Sequence, residues 1–277
     1  MRAAVVQMNS GAEVDRNLEV AERLLRAAAA DGAELAVLPE KWNALAPGDV
    51  LAGLAEPLDG RVASAVRGWA CELGIAIVAG SIGERLGDGE RIANTSLLID
   101  RDGEIAAIYR KIHMFDVEVG GVVYRESEHE QAGEEVVHAT AGDLEIGMTI
   151  CYDLRFPELY RILALHGATA VTVPSAFTAA TGRDHWEILL RARAIENQLF
   201  VLAANQHGTA APEYSSWGHS MIVDPWGRVL DAIPDGDGHA IADLDLGELE
   251  AVRERLPSLA SRREGAYAWP VEAGEHA

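Results

Sequence analysis

The chain has 277 residues and a formal charge of −21, from 44 Asp and Glu against 23 Lys and Arg. Such acidity repels phosphate backbones and anionic membranes and argues against nucleic-acid binding, and no apolar run approaches the roughly 20 residues of a membrane span. Two cysteines cannot build a disulfide framework, and neither has a Cys or His neighbour at zinc spacing, so the expectation is a soluble, cytoplasmic protein with no metal and no cofactor.

No Pro/Gly/Ser-rich linker, low-complexity block or repeat divides the chain. One domain is expected over residues 1–256, with a C-terminal extension over 257–277. The start, Met1–Asn9, reads as a strand and not as a signal peptide. Apolar residues at helical spacing then predict a helix over Val14–Ala30, followed by a strand in Glu34–Glu40, a helix over Arg61–Leu73 and a strand over Ile75–Ser81. Asn94–Asp100 and Glu104–Tyr109 form a hairpin across the Asp100–Gly103 turn.

The second half repeats this order. Strands are expected at Leu144–Ile150, Thr169–Pro174 and Gln198–Ala204, with helices near Pro157–His166 and over Asp184–Asn197 between them. Strand Gly218–Val223, a turn at Asp224–Gly227, strand Arg228–Ala232, strand His239–Leu244 and a helix over Leu246–Leu256 complete the chain. Two halves of alternating helices and strands, each ending in a hairpin, imply a four-layer α-β-β-α sandwich of two mixed β-sheets packed face to face.

Ligands of α/β folds gather beyond the carboxyl ends of strands. Three reactive side chains lie just past such ends: Glu40, Lys111 and Cys151. Singly each has an ordinary explanation, as a loop carboxylate, a surface charge and a small core hydrophobe. Together they supply a base, a positive group for an oxyanion and a nucleophile, the set that attack on an unactivated carbonyl requires. Cys151 stands where a strand meets a stretch able to start a helix, whose amides are expected to favour its thiolate. Cys71, flanked by Trp69, Ala70 and Leu73, reads as a buried helix cysteine.

The segments Leu38–Glu40, Tyr109–Asp116 and Cys151–Glu158 resemble the three signature blocks of the nitrilase, or carbon–nitrogen hydrolase, superfamily. Two further stretches, Pro174–Gly182 running into His185–Asn197 and Trp217–Gly227, are similar to the branch that holds ω-amidases and deaminated-glutathione amidases. The resemblance spans nearly the whole chain. It implies Glu40 as general base, Lys111 as oxyanion stabiliser, Cys151 as nucleophile and the backbone N–H of Tyr152 as a second oxyanion donor. A second glutamate is implied near the site, at Glu126, in a loop that also carries Glu128, Glu130, Glu134 and Glu135. The loop Val117–Tyr124 departs from the family pattern and leaves that choice open by a few positions.

Arg155 has two readings, pairing with Asp153 or Glu158 or gripping a substrate carboxylate. Phe177 and Thr178 stand where pocket walls belong, and His113, His185 and His219 are expected to be structural. Glu187 and Arg191 are spaced for a salt bridge on one helix, which the resemblance places at a subunit interface and which points to a homodimer or larger homo-oligomer. The function implied is hydrolysis of a small carboxylated amide to a carboxylate and ammonia through a Cys thioester, with a nitrilase or an N-carbamoyl amidohydrolase as the alternative. A redox thiol would need a resolving cysteine, which Cys71 is badly placed to be.

Overall fold

The computed structural model describes residues 1–87, 91–211 and 214–267. The first half supplies strands β1 (Arg2–Gln7), β2 (Leu35–Val37), β3 (Ala76–Val78), β4 (Ile82–Arg85), β5 (Ile92–Ile99) and β6 (Ile105–Arg110), with helices α1 (Val14–Ala30), α2 (Gly48–Leu54) and α3 (Arg61–Leu73). A small hairpin follows, β7 (Asp116–Val119) and β8 (Val122–Arg125). The second half holds β9 (His138–Ala141), β10 (Leu144–Met148), α4 (Pro157–Leu165), β11 (Ala170–Thr172), α5 (Ala179–Asn197) and β12 (Phe200–Ala203). A second hairpin, β13 (His207–Ala211) and β14 (Tyr214–Trp217), precedes β15 (Met221–Val223), β16 (Val229–Ala232), β17 (Gly238–Asp243) and α6 (Leu246–Arg255).

These strands make two mixed sheets. In the first, β1, β2 and β3 run parallel, β17 pairs antiparallel with β1, and β5 pairs antiparallel with β3, β4 and β6. The second has the order β16-β15-β12-β11-β10-β9, with a parallel centre of β10, β11 and β12. Both centres are apolar on both faces, and the two-residue period sorts their side chains. Ala3, Val5, Leu35, Val37 and Val78 join the core with Ile146, Met148, Ala170 and Leu202 of the second sheet. Their neighbours Val6, Ala36, Leu38 and Ile77 pack instead against Leu24 and Leu25 of α1 and Val66 and Trp69 of α3. Leu159 and Leu163 of α4 and Trp186 and Leu190 of α5 cover the second sheet. The α-β-β-α sandwich expected from the order of elements is what the chain adopts.

The differences are local. Strand His239–Leu244 does not extend the second sheet: as β17 it crosses to the first and lines up Arg2 with Asp243 through Gln7 with Gly238. Helix α5 begins at Ala179, ahead of the expected Asp184, because Thr178 already accepts through its carbonyl from Thr181 and Gly182. Short α2, β4, β9 and the two small hairpins lack the long periodicity that marks their neighbours. Cys71 is exposed on α3, not buried, since the inward face there belongs to Val62, Val66, Trp69 and Ala70. Of the extension expected after residue 256, Leu259 packs against the main core, and residues 268–277 lie outside the described residues. No helix among the described residues is long and apolar enough to cross a membrane.

Candidate active site

Glu40 follows β2, Lys111 follows β6 directly, and Cys151 opens a 3-10 turn, Cys151–Arg155, after β10. The first two belong to one sheet and the third to the other, so the sandwich brings them together at one end. The Lys111 Nζ lies 3.0 Å from Oε1 of Glu40, and both line a cavity of about 30 Å3 with Cys151. That free space is enough to admit water.

Each group is held from several sides. Glu40, 3% exposed, accepts at Oε1 from Asn94 Nδ2 at 2.9 Å and at Oε2 from the Ala176 N–H at 2.8 Å. Lys111 donates to both oxygens of Glu126, at 2.9 and 2.7 Å. The Phe115 N–H reaches Oε2 of Glu126 as well, at 2.8 Å. Burial works against the Lys111 ammonium, yet Glu126 and Glu40 hold its pKa well above the ordinary lysine value. Burial likewise opposes the charge on Glu126, but Lys111 and Lys41 keep that carboxyl far below the usual range.

Cys151 has φ 47°, a left-handed conformation uncommon for a residue with a Cβ, and its N–H donates to the Pro174 carbonyl at 2.8 Å. Asp153 fixes the turn from within. Fully buried, it accepts from the Ile150 N–H at 2.8 Å, the Tyr109 hydroxyl at 2.6 Å and the His113 N–H at 3.2 Å. Tyr152 is the second residue of the turn, where an N–H has no acceptor within the turn itself.

The thiol does not behave as its place in sequence implies. Burial and then the charge of Glu40 push the Cys151 pKa well above the ordinary thiol value, with Lys111 pulling the other way. The short 3-10 turn does not outweigh a buried carboxylate beside the sulfur. Cys151 therefore rests as a thiol with a base at hand, not as a standing thiolate.

Tyr152, Arg155, Phe177 and Thr178 all line the cavity. Arg155 pairs with neither Asp153 nor Glu158: its Nη1 lies 3.2 Å from Nδ1 of His185, and its guanidinium lies 5.0 Å from the Phe177 ring centroid. His113 stacks on Phe156 at 3.5 Å with Nδ1 2.7 Å from Asp153, and His219 stacks on Trp217 at 4.5 Å. The departing loop is the β7–β8 hairpin, turned by Gly120 and Gly121 at φ 60° and 79°. The Gly-Gly pair between alternating apolar residues is the sequence signal of this hairpin. Sequence reasoning missed Asn94, Asp153 in its anchoring role, Tyr214, whose hydroxyl donates to the Ala176 carbonyl at 2.6 Å, and the pairing of Lys41 with the buried Glu130.

The family model for carbon–nitrogen hydrolases matches residues 2–254. The chain belongs to that family. Among relatives of this carbon–nitrogen hydrolase, a deaminated glutathione amidase of Rattus norvegicus is 42% identical over 273 residues, 95% of this chain and 83% of the rat protein. The crystal structure of the C. elegans NitFhit protein superposes with a TM-score of 0.89 at 36% identity, covering 96% of this chain and 66% of that one, so the present chain spans about two thirds of the worm protein. In a Glu-to-Gln variant of the amidase of Nesterenkonia sp. AN1, the acetamide moiety of fluoroacetamide is covalently attached to the active-site cysteine. That structure has a TM-score of 0.80 at 27% identity, over 96% of this chain and 95% of its own. The chain is thus an enzyme of the amidase kind within the nitrilase superfamily.

Proposed function

We propose that this enzyme hydrolyses small carboxylated amides to a carboxylate and ammonia, with Cys151 as nucleophile, Glu40 as general base and acid, and Lys111 with the Tyr152 N–H as oxyanion donors. The observation that carries it is the meeting of Glu40, Lys111 and Cys151 at one buried cavity, with the ammonium 3.0 Å from the carboxylate.

Because the resting sulfur is protonated, the first step is general-base catalysis. Glu40 takes the thiol proton as the Cys151 sulfur bonds to the amide carbon, and the carbonyl electrons move to oxygen. That oxyanion is met by charge already in place, and losing one such donor typically costs about 10²–10³ in rate. Glu40 then gives its proton to the leaving nitrogen, the C–N bond breaks and ammonia departs. Water, deprotonated by Glu40, cleaves the thioester and regenerates the thiol. Glu126, saturated by its own donors, holds Lys111 from the far side.

The substrate class rests on Arg155. Its side chain lies on the cavity wall with an imidazole as partner and, among the described residues, no carboxylate, which suits a guanidinium meant for an acid on the acyl group. The similarity to a deaminated glutathione amidase and the resemblance of the sequence blocks to ω-amidases favour α-ketoglutaramate or deaminated glutathione.

The test is release of product from a panel of these amides, neutral amides, nitriles and N-carbamoyl compounds, with Arg155→Lys alongside the wild type. The reading expects amides to outpace every nitrile and Arg155→Lys to raise KM for carboxylated amides more than for neutral ones. Faster nitrile turnover would overturn the class, and equal effects on both kinds of amide would remove Arg155 from recognition.

A further inference from the structure

A second lysine lies in the cavity, unused by the mechanism above. Lys41 follows Glu40 directly and has φ 51°, so that it and Cys151 are both left-handed residues of the cavity wall. Such backbone persists only where its surroundings enforce it. Here the Lys41 N–H donates to Ser81 Oγ at 3.0 Å, and its Nζ reaches Oε1 of Glu126 at 3.1 Å and Oε1 of Glu130 at 2.5 Å.

Glu126 is therefore held between two ammonium groups. Oε1 faces Lys111 at 2.9 Å and Lys41 at 3.1 Å, while Oε2 faces Lys111 at 2.7 Å and the Phe115 N–H at 2.8 Å. A carboxylate offers about four acceptor directions, and these contacts fill them. Glu130 is different. It is 3% exposed, one oxygen meets Lys41, and the other has no partner among the described residues. Its backbone is fastened by its N–H to the Glu126 carbonyl at 2.9 Å and by the pairing of Ile92 with His129 and Gln131. The charged groups facing its carboxyl are Lys41, Glu126 and Lys111.

We propose that Lys41 is a positioning residue of the reaction: it touches no reacting atom, but by holding one oxygen of Glu126 it fixes where the Lys111 ammonium points, and Glu130 is the counter-ion that competes for it. Three carboxylates, Glu40, Glu126 and Glu130, share two lysines in this cluster. Burial pushes the Glu130 carboxyl up to about 7, with Lys41 opposing the rise and Glu126 adding to it. Below that pH the cluster is balanced and Lys41 serves Glu126. Above it an ionised Glu130 draws Lys41 away, so this component of kcat declines as pH rises through about 7.

The inference rests on the roles proposed for Lys111 and Glu126, so two readouts are used. In turnover, Lys41→Met is expected to lower kcat about 10- to 10²-fold with little change in KM, the loss typical of a reacting group displaced by a fraction of its own length. Lys41→Arg should restore most of it, and Glu130→Gln should remove the inflection near pH 7. The double variant Lys41→Met/Glu130→Gln deletes both charges of the buried pair. A merely structural pair would then regain wild-type kcat, whereas a positioning lysine leaves kcat as low as in Lys41→Met.

The second readout needs no amide: the rate at which iodoacetamide labels Cys151, followed by mass spectrometry. Loss of the Lys41 charge is expected to slow it several-fold. Slowed labelling in a protein that turns over no amide sinks the proposed function and supports the place of Lys41. Wild-type kcat and labelling in Lys41→Met, or recovery in the double variant, overturns the inference. Should Lys41→Met not fold, Glu130→Gln, which keeps the shape of the side chain, decides by whether the inflection near pH 7 persists.

Discussion

The hydroxyl of Tyr109 donates to Oδ2 of Asp153 across 2.6 Å, and this one contact ties the strand that leads into Lys111 to the turn that carries Cys151. Both partners are fully buried, and burial together with the Asp153 charge raises the tyrosine pKa well above its ordinary value, so the hydroxyl keeps its proton.

Asp153→Ala should therefore be costly in two ways. It strands the Tyr109 hydroxyl and the Ile150 N–H in a dry interior, at about 1–3 kcal/mol for a buried group left unpaired, and removes the partner of the part-buried His113 N–H. It also frees the nucleophile's turn. Denaturant unfolding should show the loss of stability, and Tyr109→Phe, which removes one donor and leaves Asp153 its backbone partners, should lose less. Equal stability of Asp153→Ala and the wild type would refute the anchoring role.

Alkylation should separate the two thiols. Cys71 is exposed and Cys151 buried, so total labelling by iodoacetamide does not report on the site. In Cys71→Ser, which should keep wild-type activity, inactivation is expected to follow labelling of Cys151 one for one, and EDTA should have no effect. Activity surviving complete modification of Cys151 would end the thioester mechanism.

Base and oxyanion donor are separable by single-turnover kinetics. Glu40→Gln should block formation and hydrolysis of the thioester alike, since one proton carrier serves both. Lys111→Ala should slow both steps by about 10²–10³, the usual loss on removing an oxyanion donor. Near wild-type kcat/KM in either variant would remove that residue from its role.

We propose that the protein forms a homodimer or larger homo-oligomer through the outer face of α4 and α5. Ile162 and Leu165 on one helix and Ile188 and Ile195 on the other are exposed, beside the Glu187–Arg191 pair at 3.0 Å. Burying these side chains against a second copy would remove apolar surface from water. Light scattering should give a multiple of 29.7 kDa at micromolar concentration. A monomer throughout that range would refute it, and an aspartate at Ile188 should shift the equilibrium toward the monomer if the face is right.

Much of the fold was legible because its long elements announce themselves. Helices α1 and α3 carry apolar residues at helical spacing over several turns, and their predicted limits, Val14–Ala30 and Arg61–Leu73, coincide with those found. Glu40, Lys111 and Cys151 were legible as strand-end residues of complementary chemistry. What stayed hidden depends on approach in space. The exposure of Cys71 turns on which side of α3 meets the sheet, a question its apolar neighbours do not answer. The pKa of Cys151 depends on a carboxylate contributed by the other sheet, and the partnership of Lys41 with Glu130 joins the end of β2 to the loop that bridges β5, which no spacing along the chain encodes. Of the two readings open for Arg155, the local pairing with Asp153 or Glu158 is replaced by a contact with His185 of α5.

The pairing of β17 with β1 has a consequence for how the molecule comes into being. Synthesis delivers β1 well before its antiparallel neighbour, so the nascent chain leaves that edge of β1 open while β2 through β16 emerge from the ribosome. An unpaired apolar edge is where foreign strands add. The period of greatest vulnerability to aggregation thus closes when Gly238–Asp243 arrives, and a chain halted before that segment should depend on chaperones in a way the finished enzyme does not.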